Sequence, residues 1–127
     1  MKTAVVGLGI GMAHVAGYLS HPDAKLVAVA DAWAPRRKAV NGTFAAGSMR
    51  VLEPLFRPPE APPTLLSRRW DELGCRVYDD VSGVIDDPEV ELVSLCTPDD
   101  THEEMSVRIL EAGKHLLLEK PVALTVA

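Results

Sequence analysis

The stretch Val5-Val6-Gly7-Leu8-Gly9-Ile10-Gly11-Met12-Ala13-His14 most constrains the fold of this chain. Before it stands a short apolar run that begins near the N-terminus. After it, Gly11 to Ser20 carries Ala13, Ala16, Tyr18 and Leu19 in a helix-compatible pattern, which Pro22 and Asp23 break. A strand that turns through glycines into a helix is the order a dinucleotide site needs. Gly7 permits the tight turn, and Gly9, lacking a β-carbon, lets the backbone approach a pyrophosphate. The helix N-terminus adds unpaired amides and a partial positive charge. The dipole alone supplies only about 0.3–1 kcal/mol. Direct amide bonds from the turn, Gly7, Gly9, Ile10, Gly11 and Met12, therefore carry most of the expected binding. The spacing departs from G-x-G-x-x-G: Met12 stands where the third glycine would fall, and the glycine comes at 11. Ala13 is then the candidate for the small packing residue.

The next apolar run, Leu26-Val27-Ala28-Val29-Ala30, ends at Asp31, 20 residues beyond Gly11. A carboxylate there accepts both hydroxyls of an adenosine ribose and repels a 2′-phosphate, so NAD is expected over NADP. The bland alternative is a solvated acid at a strand end. Arg36 and Arg37 either soften the preference toward NADP or lie on an exposed helix face. Methyltransferases that bind S-adenosylmethionine share this geometry but usually carry an acid just before the glycines, where this chain has Val5 and Val6.

Further along, Cys75–Tyr78, Leu92–Cys96 and His115–Leu118 read as strands, and Val81–Ile85 and Thr101–Glu111 as helices. Thr101 and Glu104 have capping-box spacing, and Gly113 sits where a left-handed residue would close the second helix. Continuous apolar runs alternating with helices define the fold class as α/β: a doubly wound parallel sheet, three layers αβα, strand order 3-2-1-4-5. The 127 residues suit one domain. Five of the ten prolines fall between 54 and 63, with arginines around them. Residues 43–66 are therefore expected to loop off the sheet, as an ordinary surface loop or as a basic flap over a phosphate or partner surface. No internal repeat is present. A net charge of −5 argues against a nucleic-acid partner. No apolar run reaches the roughly 18 residues of a membrane span. Cys75 and Cys96 form no CxxC and no cluster with histidine, so no metal site is expected. They read as buried thiols of a reduced, cytoplasmic protein.

Three motifs follow in order: Thr97-Pro98-Asp99-Asp100-Thr101-His102, then Ala112-Gly113-Lys114-His115, then Glu119-Lys120-Pro121. With the glycine turn and Asp31, this set resembles the Gfo/Idh/MocA dehydrogenases, whose nucleotide domain shows T-P-N-x-x-H, A-G-K-H and E-K-P. The resemblance covers nearly the whole chain apart from the proline-rich insertion. It implies a Rossmann fold and an NAD(P)-dependent oxidoreductase acting on the CH–OH group of a sugar, cyclitol or related polyol. It further implies that Thr97 and Pro98 line the nicotinamide side of the cofactor. His102 would sit near the cofactor ribose, and Glu119 and Lys120 beside the nicotinamide. Lys120 is the implied catalytic residue, assisting proton transfer. A cis Lys120–Pro121 bond would aim it inward.

Three departures stand out. Asp99 replaces the family's asparagine, and the insertion has no counterpart. His14, one residue earlier than the family's histidine, reads as packing or capping. The family also continues into an α+β domain that forms the substrate pocket and the usual oligomer interface, and this chain stops at Ala127. The expectation is a nucleotide-binding part without its substrate domain, inactive alone, with homo-oligomers formed through that missing domain. The competing expectation is a non-catalytic module that binds or senses NAD(H).

Overall fold

The structure is a computed structural model describing residues 1–38 and 69–125. Five strands, β1 (Lys2–Val6), β2 (Lys25–Ala30), β3 (Arg76–Tyr78), β4 (Leu92–Leu95) and β5 (His115–Leu118), form one sheet in the order β3-β2-β1-β4-β5. Every pairing is parallel. The helices between them are α1 (Met12–Ser20), α2 (Ala34–Lys38), α3 (Val81–Ile85) and α4 (His102–Glu111), the last entered through a 3-10 turn at Asp99–Thr101. The expected architecture and strand order are both present. The proline-rich stretch at 43–66 lies outside the described residues.

Side-chain alternation divides the sheet between its two faces. Ala4, Val6, Ala28, Ala30, Val93 and Leu95 pack with Val81 and Val84 of α3 and Ile109 of α4. Val5 and Val29 point the other way, against Met12 and Val15 of α1 and against Trp70. Burial of a side chain such as Ile109 contributes about 1.5–3 kcal/mol. Cys75 and Cys96 are free and buried. Burial pushes their thiols up to about 11 and about 12.

Two local expectations meet different outcomes. Gly113 has φ +74 and closes α4 as its position predicts. The capping box does not form. Thr101 has φ −99 and ψ −9 and caps no amide with its side chain; its hydroxyl lies 2.7 Å from both Thr97 Oγ1 and Pro98 O. A capping residue needs extended backbone, and the 3-10 turn has already made Thr101 helical. Asp80 does cap α3: its backbone is extended (φ −144, ψ 179) and its carboxylate accepts from the Ser82 amide.

The amino edge of the sheet is held by charge. Arg76 bonds Asp87 and Glu89 at 2.6 Å each, and Lys2 bonds Glu89 at 2.7 Å. Lys114 donates to the carbonyls of Asp87 and Val90 at 2.8 and 2.9 Å. The lysine of the A-G-K-H motif therefore fastens the turn that feeds β4, and His115 begins β5.

Candidate functional site at the carboxyl edge of the sheet

β1 has β2 on one side and β4 on the other, so the chain reverses its direction of sheet growth around β1. That switch point leaves a crevice at the carboxyl ends of the strands. Gly7, Asp31, Thr97 and Glu119 follow the ends of β1, β2, β4 and β5 and lie on that one edge. Bonds past the strand ends hold them in place: Gly7 N donates to Ala30 O, Cys96 N to Val6 O and Glu119 N to Leu95 O, at 2.8, 2.8 and 3.0 Å.

The three glycines of the turn have different duties. Gly7 has φ +90, and a β-carbon there would strike the Cys96 carbonyl. A β-carbon on Gly11 would strike the Gly7 carbonyl and come within 2.8 Å of Val5 Cγ1. Close packing of helix on strand thus falls to Gly11, where Ala13 had been expected. Gly9 meets only the guanidinium end of Arg36, at 3.5 Å. Folding requires the first and third glycines; the space over the second is open apart from one flexible side chain. The amides of Gly9, Ile10 and Gly11 have no protein acceptor among the described residues. Gly7 donates its amide to the Ala30 carbonyl and so leaves the expected set of free amides. Met12 departs from expectation as well. Its side chain is buried in the core, and its amide is spent on the Gly9 carbonyl at 3.3 Å.

Asp31 is buried, with Oδ2 accepting from the Leu8 amide at 2.7 Å and Oδ1 from the Trp33 amide at 2.8 Å. The carboxylate expected to grip a ribose therefore also pins the glycine turn to the end of β2. A carboxylate has about four lone-pair sites, so capacity for sugar hydroxyls remains. Arg36 reaches across the mouth of the crevice, its Nη1 3.6 Å from Asp31 Oδ2 and its guanidinium 5.3 Å from the centre of the Trp33 ring. Its Nε is buried with no hydrogen-bond partner. Arg37 instead braces the backbone, donating to the carbonyls of Asp31 and Ala32 at 2.6 and 2.9 Å. An open position over Gly9, unpaired amides and an orphaned guanidinium nitrogen together suit a bound diphosphate.

On the far side of the crevice, Pro98 is exposed and Thr97 partly so. His102, expected at the cofactor ribose, is fully buried. Its ring nitrogens lie 2.7 Å from Pro121 O and 2.9 Å from Thr97 O. The histidine is a strut joining the Thr97–Pro98 turn to the Lys120–Pro121 turn, and it presents no free nitrogen to a ligand. The Lys120–Pro121 bond is cis, as expected, and Lys120 is exposed.

Glu119 belongs to a polar chain whose members lie far apart in the sequence. His14 Nε2 lies 3.0 Å from Glu119 Oε1, His14 Nδ1 3.2 Å from Ser94 Oγ, and Tyr18 Oη 2.6 Å from the same Oγ. His14 caps nothing; it bridges α1 to the ends of β4 and β5. The His14 bond holds the Glu119 carboxyl below the usual carboxylate range, and burial raises the Tyr18 hydroxyl. The one sequence cue was Ser94, a lone hydroxyl in an otherwise apolar run.

Fold and crevice together define a nucleotide-binding domain of the doubly wound dehydrogenase class. The family model described as the GFO/IDH/MocA oxidoreductase family, NAD-binding Rossmann fold, matches residues 1–127. The chain belongs to that family. It is 28% identical to an inositol 2-dehydrogenase of Rhizobium meliloti, a match covering 98% of this chain and 29% of that protein. Over 52 residues, 41% of this chain and 15% of the relative, it is 48% identical to inositol 2-dehydrogenase 2 of Saccharopolyspora erythraea. Among solved structures, a probable dehydrogenase from Thermotoga maritima superposes with a TM-score of 0.68 at 27% identity, covering 98% of this chain and 29% of that one. The chain spans less than a third of the length of these relatives. Membership in an NAD-binding oxidoreductase family sets aside the methyltransferase alternative. Among the described residues no helix is long and apolar enough to cross a membrane.

Proposed function

We propose that this chain is the cofactor-holding part of an NAD-dependent dehydrogenase that oxidises a secondary hydroxyl of a cyclitol or related polyol. The observation that carries the reading is Gly9: folding leaves its position open, and unpaired amides surround it. Gly9, Ile10 and Gly11 hold the diphosphate through the backbone, Gly7 makes the turn that presents them, and Asp31 accepts the adenosine ribose hydroxyls. Thr97, Pro98, Glu119 and Lys120 form the nicotinamide side. NAD, when bound, supplies the hydride acceptor. Lys120, exposed at the crevice, places a cationic donor that polarises the substrate hydroxyl and assists the movement of its proton as the carbonyl forms. The inositol dehydrogenases among the relatives support the polyol class. Substrate selection and subunit contacts belong to the length those relatives have beyond this span, and the buried free thiols suit a cytoplasmic setting.

Gly9→Val tests the reading. NADH affinity, followed by fluorescence of the nicotinamide, should fall at least about 100-fold, a loss of roughly 2.7 kcal/mol. The melting temperature should stay within a few degrees. Unchanged affinity would remove the diphosphate from the turn.

A further inference from the structure

The chain Tyr18–Ser94–His14–Glu119 joins three elements that the glycine turn and the E-K-P motif do not otherwise connect. Its proton directions close in one order. Tyr18 donates to Ser94, Ser94 to His14 Nδ1, and His14 Nε2–H to Glu119, so each proton has an acceptor. Ser94 is fully buried, and His14 is only 18% exposed. A buried polar network of this kind is costly unless fully satisfied, and nothing in the fold of β4 calls for a serine there. The last acceptor, Glu119, has its second carboxylate oxygen 3.2 Å from the Lys120 amide. The network therefore ends on the backbone of the residue assigned to proton transfer, and it begins on the helix that leaves the diphosphate turn.

We propose that His14 is a positioning residue that locks the Glu119–Lys120 turn to α1 and so fixes the nicotinamide-side wall of the crevice relative to its diphosphate-side wall. The inference deepens the cofactor reading and rests on it. His14 touches neither the adenosine side, where Asp31 and Arg36 stand, nor the turn amides. Its loss should therefore separate the two halves of the cofactor.

The test compares NADH with ADP on the purified chain by titration, with a melting curve for each variant. His14→Ala should weaken NADH about tenfold, the scale of one charge-assisted bond, and leave ADP within twofold. His14→Gln, which keeps an N–H donor near the Nε2 position, should restore most of the NADH affinity. Glu119→Ala should lose NADH affinity similarly, and the His14→Ala/Glu119→Ala pair should be no worse than either single change. Equal weakening of NADH and ADP, strictly additive losses, or no loss with His14→Ala would each overturn the proposal. A wild-type chain that binds ADP but not NADH would overturn it as well. Binding of neither ligand would overturn the cofactor reading itself and this inference with it. If His14→Ala does not fold, His14→Gln against Glu119→Ala decides the matter in its place, because only the second removes the tie.

Discussion

At the scale of the residue, one glycine run holds two kinds of necessity. Gly7 and Gly11 are fixed by steric contact with carbonyls of the chain itself, and Gly9 by the space it leaves over the turn. Gly7→Ala should therefore destabilise the domain by about 2–3 kcal/mol, from a left-handed backbone plus a clash with the Cys96 carbonyl. Gly9→Ala should cost under about 1 kcal/mol. Chemical denaturation of the two variants side by side checks this, and equal losses would contradict the division. The sequence showed the run but could not sort its members, because the atoms that make Gly11 indispensable come from Gly7 and Val5, brought against it only by the turn. Asp31 was ambiguous for a similar reason. A carboxylate that pins Leu8 and one that grips a sugar occupy the same position and look alike in one dimension.

Secondary-structure elements were the most legible level. Apolar runs of four to six residues bounded by turn residues read as strands, and β5 and α3 fall where the pattern put them, although β5, at the edge of the sheet, leaves His115 and Leu117 exposed. The failure at the start of α4 is instructive. T-x-x-E spacing describes a cap only if the first residue is extended, and the turn at Asp99–Thr101 rotates Thr101 into helical geometry. Glu104→Ala should accordingly change stability by under about 0.5 kcal/mol, the size of its one i,i+4 pairing with Arg108. A formed capping box would cost about 1 kcal/mol. Urea midpoints separate the two outcomes. The tie from α1 to β5 had no such local cue. His14 and Glu119 are 105 positions apart, and only the placement of β4 and β5 beside β1 brings them together.

Across the whole molecule, acid response follows from where the carboxylates sit. Bonds from Lys2 and then Arg76 hold Glu89 down to about 2. His14 lowers Glu119. Burial raises Asp87, but the Glu89 amide and Arg76 outweigh it, so it too lies low. A carboxyl whose folded pKa is depressed adds stability above its unfolded value, near 4.5 or 3.8, and that stability is lost as pH falls through the folded value. The melting temperature should be level above about pH 5 and fall progressively toward pH 2. The fall should be shallower in Glu89→Gln, which has already forfeited its share. A decline beginning above pH 6 would point to other groups. Added salt should blunt the same effect, because the Lys2–Glu89 pair is exposed. The clasp of Arg76, Asp87 and Glu89 lies at the opposite end of the strands from the crevice, separated by the length of β1. Part of the domain's stability is thus encoded at the pole of the sheet opposite the one that chooses the ligand. Selection, or a protein engineer, can harden this domain against heat at one pole without disturbing which nucleotide docks at the other.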